Sequence, residues 1–273
     1  MRRTPDEVVM SHIMDPRRRT VFVEGPRDAG FLQALRGDGP VDRALLQPID
    51  SVEVSVPSGG NRARVLALAE AVADAHLDRI RFLVDADHHH VEPDQVPQRV
   101  WITDKRDLDW YVLIIDCLDH AANAAFSADP AWLREVFSGS EVVGRWLGYV
   151  RLASRRYQLG LPVTDTDVPK FATFAKDGTL QFQYDGCFAS ILGRAGIPGS
   201  EFESVREQIA ELESELEATP TEMFASARDI LRLIDKACSK EGRAGATNVL
   251  RAAFQREWIS RFPVLDDVVL YLT

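Results

Sequence analysis

Cysteine is scarce in this sequence, and its three residues, Cys117, Cys187 and Cys238, lie far apart. Their number and spacing fit neither a zinc site nor a disulfide framework, so we expect reduced thiols and a cytoplasmic protein. No run of about 18 apolar residues is long enough to span a membrane, and the N-terminus has no apolar signal core. Disulfide-rich and membrane-spanning classes are therefore excluded.

Positive charge is also in deficit, because 32 Lys and Arg face 42 Asp and Glu, for a net charge of −10. This balance argues against a large surface for nucleic-acid phosphates, although local basic patches remain at 17–19 and 151–156. The alternative for both runs is an ordinary solvated surface. The sequence has neither a Gly-x-Gly-x-x-Gly nor a Walker A motif, which argues against a phosphotransfer enzyme on a Rossmann-like sheet.

What is present is an alternation of strand and helix patterns over 20–118. Strands are predicted at 20–25, 51–56, 79–84 and 99–103, and helices at 29–35, 62–76 and 107–118. This alternation is typical of an α/β fold with a parallel sheet. We therefore predict an N-terminal arm over 1–19, an α/β domain over 20–118 and a mainly helical region over 119–273.

The helical region contains two features that the sequence predicts in detail. A small hairpin is predicted between 171–174 and 180–184, around the turn Lys176-Asp177-Gly178. Residues 201–217 form an acidic amphipathic pattern, which predicts a helix whose apolar stripe faces the core or a second copy in a homodimer.

Acidic side chains stand at the predicted ends of two strands, Glu24 after the first, Asp85 and Asp87 after the third. In extended backbone, residues two apart point to the same side, so Asp85 and Asp87 converge at the edge where α/β sheets bind ligands. Converging carboxylates need a cation or a proton between them, and oxygen ligands favour Mg²⁺. Glu24 shares this cation if the two strands are neighbours. The alternative is a βα turn in which Asp caps the next helix.

Four segments of the chain resemble a known family. They are 21–28 (Val-Phe-Val-Glu-Gly-Pro-Arg-Asp), the turn 59–61 (Gly-Gly-Asn), 84–87 (Val-Asp-Ala-Asp) and 107–113 (Asp-Leu-Asp-Trp-Tyr-Val-Leu). They are similar to the TOPRIM domain of primases, topoisomerases and OLD-family nucleases, and more closely to the DUF4435 group of TOPRIM-like proteins. That group includes the TOPRIM effector of the PARIS anti-phage system, which works with an ABC-type ATPase.

The resemblance implies a TOPRIM-like Rossmannoid sheet and a metal-dependent nuclease that cuts DNA or RNA in bacterial anti-phage defence. Glu24 would be the general acid/base or a metal ligand, and Asp85 and Asp87 would hold Mg²⁺. Asp109 would be an additional acidic ligand. A positive group is also expected at the transferring phosphate. Lys105 is our candidate for a catalytic cation, and the candidates for substrate binding are Arg27, Gly59, Gly60, Arg62 and Arg106.

Two departures from the family pattern affect these roles. The third acid, two residues after the second Asp, is His89 here, which leaves open a preference for Mn²⁺, a supporting role for His89 or a weakened site. Asp109 is shorter than the family's Glu, and Trp110 replaces its Asn. The alternative function is therefore a regulatory or scaffold subunit that keeps the fold and docks on an ABC-type ATPase.

Overall fold

The structure is a computed structural model, which describes residues 2–37, 44–56, 60–75, 77–242 and 245–273. The chain divides into two compact units. The first comprises Met1–Asp104 with Gln255–Thr273, and the second is Lys105–Phe254. The sequence predicts a boundary near residue 118, whereas the structure divides the chain after Asp104 and returns its last segment to the first unit.

The elements follow one another along the chain as listed here. The strands are β1 (Arg19–Val23), β2 (Ala44–Pro48), β3 (Ile80–Val84), β4 (Val100–Ile102), β5 (Ala172–Phe174) and β6 (Leu180–Phe182). The α-helices are α1 (Pro5–Met14), α2 (Pro26–Arg36), α3 (Gly60–Ala71), α4 (Ile115–Ala121), α5 (Pro130–Arg156), α6 (Tyr184–Arg194), α7 (Phe202–Glu215), α8 (Ala227–Lys240), α9 (Ala246–Ala253) and α10 (Pro263–Leu272).

The first unit is built on a four-stranded parallel sheet in the order β2-β1-β3-β4. Its two central strands, β1 and β3, are almost entirely buried, as expected for parallel strands that are covered on both faces. Phe22 of β1 pairs in register with Phe82 of β3, and the two rings stack 5.7 Å apart. The predicted α/β class is therefore confirmed.

One predicted strand is wrong. The alternation of residues 51–56 predicts a strand, but among these residues only Val52 forms a bridge, to Arg3. The sheet instead takes β2, which ends in Pro48 and lies at the edge, where proline costs no ladder hydrogen bond. The buried side chain of Val52 explains the alternation, because it packs in the core without belonging to the sheet.

The N-terminal segment contains helix α1, which packs into the core of the first unit. A capping box between Thr4 and Glu7 begins α1. Val8 and His12 are buried, and the His12 ring bonds the carbonyl of Val8 and the hydroxyl of Thr20. The helix thus contributes to the core that covers the sheet.

The C-terminal helix α10 completes the first unit. The backbone N–H groups of Val264 and Leu265 donate to the carboxylate of Asp104, which lies two residues after β4. Tyr271 packs edge-on against Trp101 of β4 at 5.5 Å. Because this helix packs against an edge strand of the sheet, the first unit needs both ends of the described chain.

The second unit is mainly helical. The predicted helix over 107–118 is divided into a 3-10 helix, Leu108–Leu113, and α4. The predicted hairpin is confirmed as antiparallel β5 and β6, and the apolar stripe of α7 is buried within the unit. None of the helices in the described residues combines the length and the apolar character that crossing a bilayer requires.

Candidate functional site

The neighbouring strands β1 and β3 bring Glu24 and Asp85 together. Each residue follows its strand directly, on the edge where both parallel strands end. The backbone N–H of Asp85 donates to Oε1 of Glu24 at 2.9 Å. The sequence made the shared site conditional on adjacent strands, and this condition is met.

The carboxyl group of Glu24 lies in unfavourable electrostatic surroundings. Burial raises its pKa to about 7, and the charges of Asp87 and Asp28 act in the same direction. The N–H of Asp85 and the guanidinium of Arg62 oppose this rise. A carboxyl group with a pKa near neutrality can exchange a proton with a reacting water or leaving group.

Asp87 adopts a left-handed backbone conformation, with φ of 51°. The sequence prediction that Asp85 and Asp87 point to the same side assumes extended backbone, and that assumption fails at Asp87. The chain turns here because the N–H of His89 donates to the carbonyl of Ala86 at 2.8 Å. The N–H of Ala86 donates to the buried hydroxyl of Thr103 at 2.9 Å. Left-handed non-glycine residues store strain and are concentrated at functional sites.

Arg62, in the first turns of α3, links the two sides of this turn. Its Nε donates to the carbonyl of Asp85 at 3.0 Å and lies 3.9 Å from Oδ2 of Asp87. Its two terminal nitrogens donate to the two oxygens of Asp94, at 3.0 and 3.3 Å. Burial alone would raise the pKa of Asp94, but the hydrogen bonds from Arg62 and His89 lower it to about 2.

His89 stands where the family pattern has its third acid, and its Nδ1 lies 2.5 Å from Oδ1 of Asp94. Because an ionised Asp94 can only accept, this contact assigns the ring proton to Nδ1. The N–H of Asp94, 3.3 Å from the same nitrogen, then has no lone pair there to donate to. The adjacent His90 contacts the carbonyl of Thr103 through Nε2. His89 is therefore oriented by Asp94.

A cleft of about 470 Å³ opens beside Glu24, lined by Glu24, Gly25, Pro26, Arg27, Asp28 and Asn61. Asn61 donates to the carbonyl of Glu24 at 2.8 Å and holds the start of α3 against the end of β1. Gly60 precedes it at φ of 63°, a conformation that favours glycine.

Arg27 is exposed and makes no ion pair or hydrogen bond with any described residue. Gly59, the other predicted glycine, lies outside the described residues.

The remaining predicted residues, Lys105, Arg106 and Asp109, belong to the second unit, where each has a partner. Lys105 bonds Glu222 at 2.8 Å. Arg106 is buried and bonds the carbonyl of Phe224. Nε of Arg251 donates to Asp109 at 2.9 Å. These contacts hold the segment after Asp104 within the second unit.

Sequence reasoning missed Asp94 and Asp28, and gave no role to Asn61. Asp28 had a signal, because it is the third residue of α2 and its carboxylate accepts from the N–H of Gly25, at the helix start. Asp94 had none, since a loop residue that folds back on Arg62 leaves no periodic pattern.

A divalent cation at this edge of the sheet would be held by two carboxylates, those of Glu24 and Asp87. Glu24 and Asp87 repel each other, and such a pair is relieved by a cation or a proton. Mg²⁺ is commonly bound by one or two carboxylates, with waters and substrate phosphates as the remaining ligands. Across the described ranges, no three His, Cys, Asp or Glu side chains are grouped to hold a metal. The fit is therefore to a pair of ligands and not to a complete protein cage.

No protein-family model matches the chain, and no curated protein matches it.

Proposed function

We propose that this protein is a divalent-metal-dependent nuclease, with Glu24 and Asp87 as its central acidic pair. The observation that carries the proposal is the meeting of Glu24 with the Asp85-Ala86-Asp87 turn at the ends of neighbouring parallel strands. The cleft beside Glu24 adds Arg27, which has no ion pair among the described residues. The resemblance to the TOPRIM and DUF4435 proteins supports the same activity, and suggests an effector of anti-phage defence that works with an ABC-type ATPase.

Each residue then has a defined task. Glu24 and Asp87 would hold Mg²⁺ or Mn²⁺, with Asp85 beside them, and the ion would neutralise the transferring phosphate and activate water. Oε2 of Glu24 is the oxygen that would bind the ion, because Oε1 accepts the N–H of Asp85. In the alternative role of Glu24 as general acid/base, the same oxygen would carry the proton. Arg27 binds a phosphate oxygen of the nucleic acid from the wall of the cleft.

The test is a cleavage assay on plasmid, single-stranded DNA and total tRNA, with Mg²⁺ and with Mn²⁺. Glu24→Gln and Asp87→Asn should abolish cutting, since each removes one charge without changing the shape of the side chain. Asp50→Asn is the matched control, because Asp50 pairs with Arg64 at 2.7 Å elsewhere on the same unit. Equal cutting by Glu24→Gln and wild type would overturn the proposal.

A second candidate is a regulatory or scaffold subunit that docks on an ABC-type ATPase. It is favoured by one observation, namely that no three-ligand metal group stands ready among the described residues. This candidate predicts that Glu24→Gln retains both complex assembly and full defence. The nuclease proposal predicts assembly without defence.

A further inference from the structure

Asp94, to which the sequence analysis gives no role, contacts two of the predicted site residues, Arg62 and His89. Its two oxygens receive the terminal nitrogens of Arg62, at 3.0 and 3.3 Å, in a bidentate fork. One of these oxygens also receives Nδ1 of His89 at 2.5 Å. A fork of this kind fixes the plane of the guanidinium, which a single contact does not.

The guanidinium that Asp94 fixes also lies beside the candidate metal ligands. Nε of Arg62 lies 3.9 Å from Oδ2 of Asp87, a loose contact, while its hydrogen bond goes to the carbonyl of Asp85. Arg62 also lowers the pKa of Glu24. A cation so close to Glu24 and Asp87 competes with a divalent ion for the same charge.

We propose that Asp94 is a positioning residue that holds Arg62 away from Asp87 and so keeps the carboxylate pair available to a divalent cation. The inference rests on the metal site of the proposed function and deepens it, because it says what sets the affinity of that site. Without the fork, the guanidinium turns to Asp87 and neutralises the ligand that the ion needs.

The experiment measures Mn²⁺ binding without nucleic acid, by the electron paramagnetic resonance signal of free Mn²⁺, and Mg²⁺ by competition. The variants are Asp94→Asn, Arg62→Gln and the double variant. We expect the Kd for Mn²⁺ to rise about fivefold in Asp94→Asn and to fall about fivefold in Arg62→Gln, as removal of a charge about 4 Å away predicts. The double variant should bind as Arg62→Gln does, because Asp94 acts through Arg62.

Two results would overturn the inference. One is an unchanged Kd for Mn²⁺ in Asp94→Asn. The other is an equal rise in this Kd when Asp94→Asn is made in wild type and in Arg62→Gln, which would mean that Asp94 acts only through its charge. Asp50→Asn, which removes one negative charge beside Arg64 of the same helix, is the control and should change nothing. If Arg62→Gln does not fold, Arg62→Lys takes its place. Lysine cannot form the fork, so it should weaken binding, and Asp94→Asn should add nothing further.

The outcomes also separate this inference from the nuclease proposal. Mn²⁺ binding that depends on Asp94 in a protein that cuts no nucleic acid supports the inference and removes the nuclease. If the protein cuts nucleic acid but the Asp94→Asn variant binds Mn²⁺ as wild type does, the nuclease proposal stands and the inference on Asp94 is wrong. If Glu24→Gln and Asp87→Asn bind Mn²⁺ as wild type does, the metal site itself is wrong, and the inference falls with it.

Discussion

The backbone N–H of Asp85 donates to the side chain of Glu24 across the ends of two adjacent parallel strands. This hydrogen bond connects the residue after β1 with the residue after β3, and it fixes one oxygen of the Glu24 carboxyl group. Burial and the neighbouring charges disfavour the ionised form of this group. The ionised form of Glu24 therefore lowers the stability of the folded protein, although the proposed metal site requires this charge. Four measurements follow from this and from other contacts.

Glu24→Gln should raise the stability of the metal-free protein while it abolishes cleavage. Glutamine keeps an oxygen for the N–H of Asp85 and removes the repulsion from Asp87 and Asp28. We expect a gain of about 1 kcal/mol in the free energy of unfolding, measured with urea at pH 8 in EDTA. Asp50→Asn should show no such gain. A loss of stability in Glu24→Gln would mean that its charge is favourably paired.

Asp107 should make the stability of the protein depend on pH. Its carboxyl Oδ2 accepts from Ser226 and from the N–H of Ala227, at the start of α8. The residue is only partly buried as a whole, but the carboxyl group is enclosed, and burial raises its pKa to about 7. A raised pKa means that the folded state binds the proton more tightly. The stabilisation is present below about pH 4 and is lost as pH rises through 7.

Asp107→Asn should therefore flatten this dependence. We expect the variant to gain on the order of 2 kcal/mol over wild type between pH 5 and pH 8, measured by urea unfolding at both values. Asp129→Asn is the control, since Asp129 caps α5 from the surface through the N–H of Ala131. A wild-type protein that gains stability between pH 5 and pH 8 relative to Asp107→Asn would contradict the raised pKa.

Asp109→Ala and Arg251→Ala should each destabilise the protein by about 1–3 kcal/mol, because each leaves a partly buried charge without its partner. The double variant should lose less than the sum of the two. Thermal unfolding measures the effect. Mn²⁺ binding should stay unchanged in all three variants. Weaker Mn²⁺ binding in Asp109→Ala alone would restore the ligand role that the family resemblance gives to this residue.

Gly144→Ala should destabilise the packing of α5 against α8, because its Cβ would lie 2.5 Å from Cγ1 of Ile230. We expect a loss of about 1–3 kcal/mol in the free energy of unfolding. Gly30→Ala, within α2, is the matched control, since its Cβ meets no atom within 4 Å. It should gain about 0.5–1 kcal/mol, the difference in helix propensity. Equal effects of the two substitutions would contradict the close approach at Gly144.

The sequence predicted much of the sheet because its central strands are short, buried and rich in β-branched and aromatic residues. It also predicted that Glu24 meets Asp85 if their strands are neighbours, and the sheet order meets that condition. It did not predict the left-handed turn at Asp87. It failed at β2, whose glutamine and proline are tolerated only because the strand lies at the edge. It could not predict the contact of Asp94 with Arg62, because a single loop residue leaves no periodic pattern in the sequence.

The boundaries of the first unit could not be predicted from the sequence either. Nothing local in Gln255–Thr273 indicates that this segment returns to a sheet that ended about 150 residues earlier, since what ties it there is Asp104 capping α10 and Trp101 packing on Tyr271. Such pairings join residues distant in sequence, and only the folded chain brings them together.

The return of α10 to the first unit has a consequence for synthesis on the ribosome. Residues up to Asp104 emerge first, but the helix that packs against β4 is translated only after the whole of Lys105–Phe254. The sheet that carries Glu24 and Asp87 therefore receives its last packing helix only after the second unit has been synthesised.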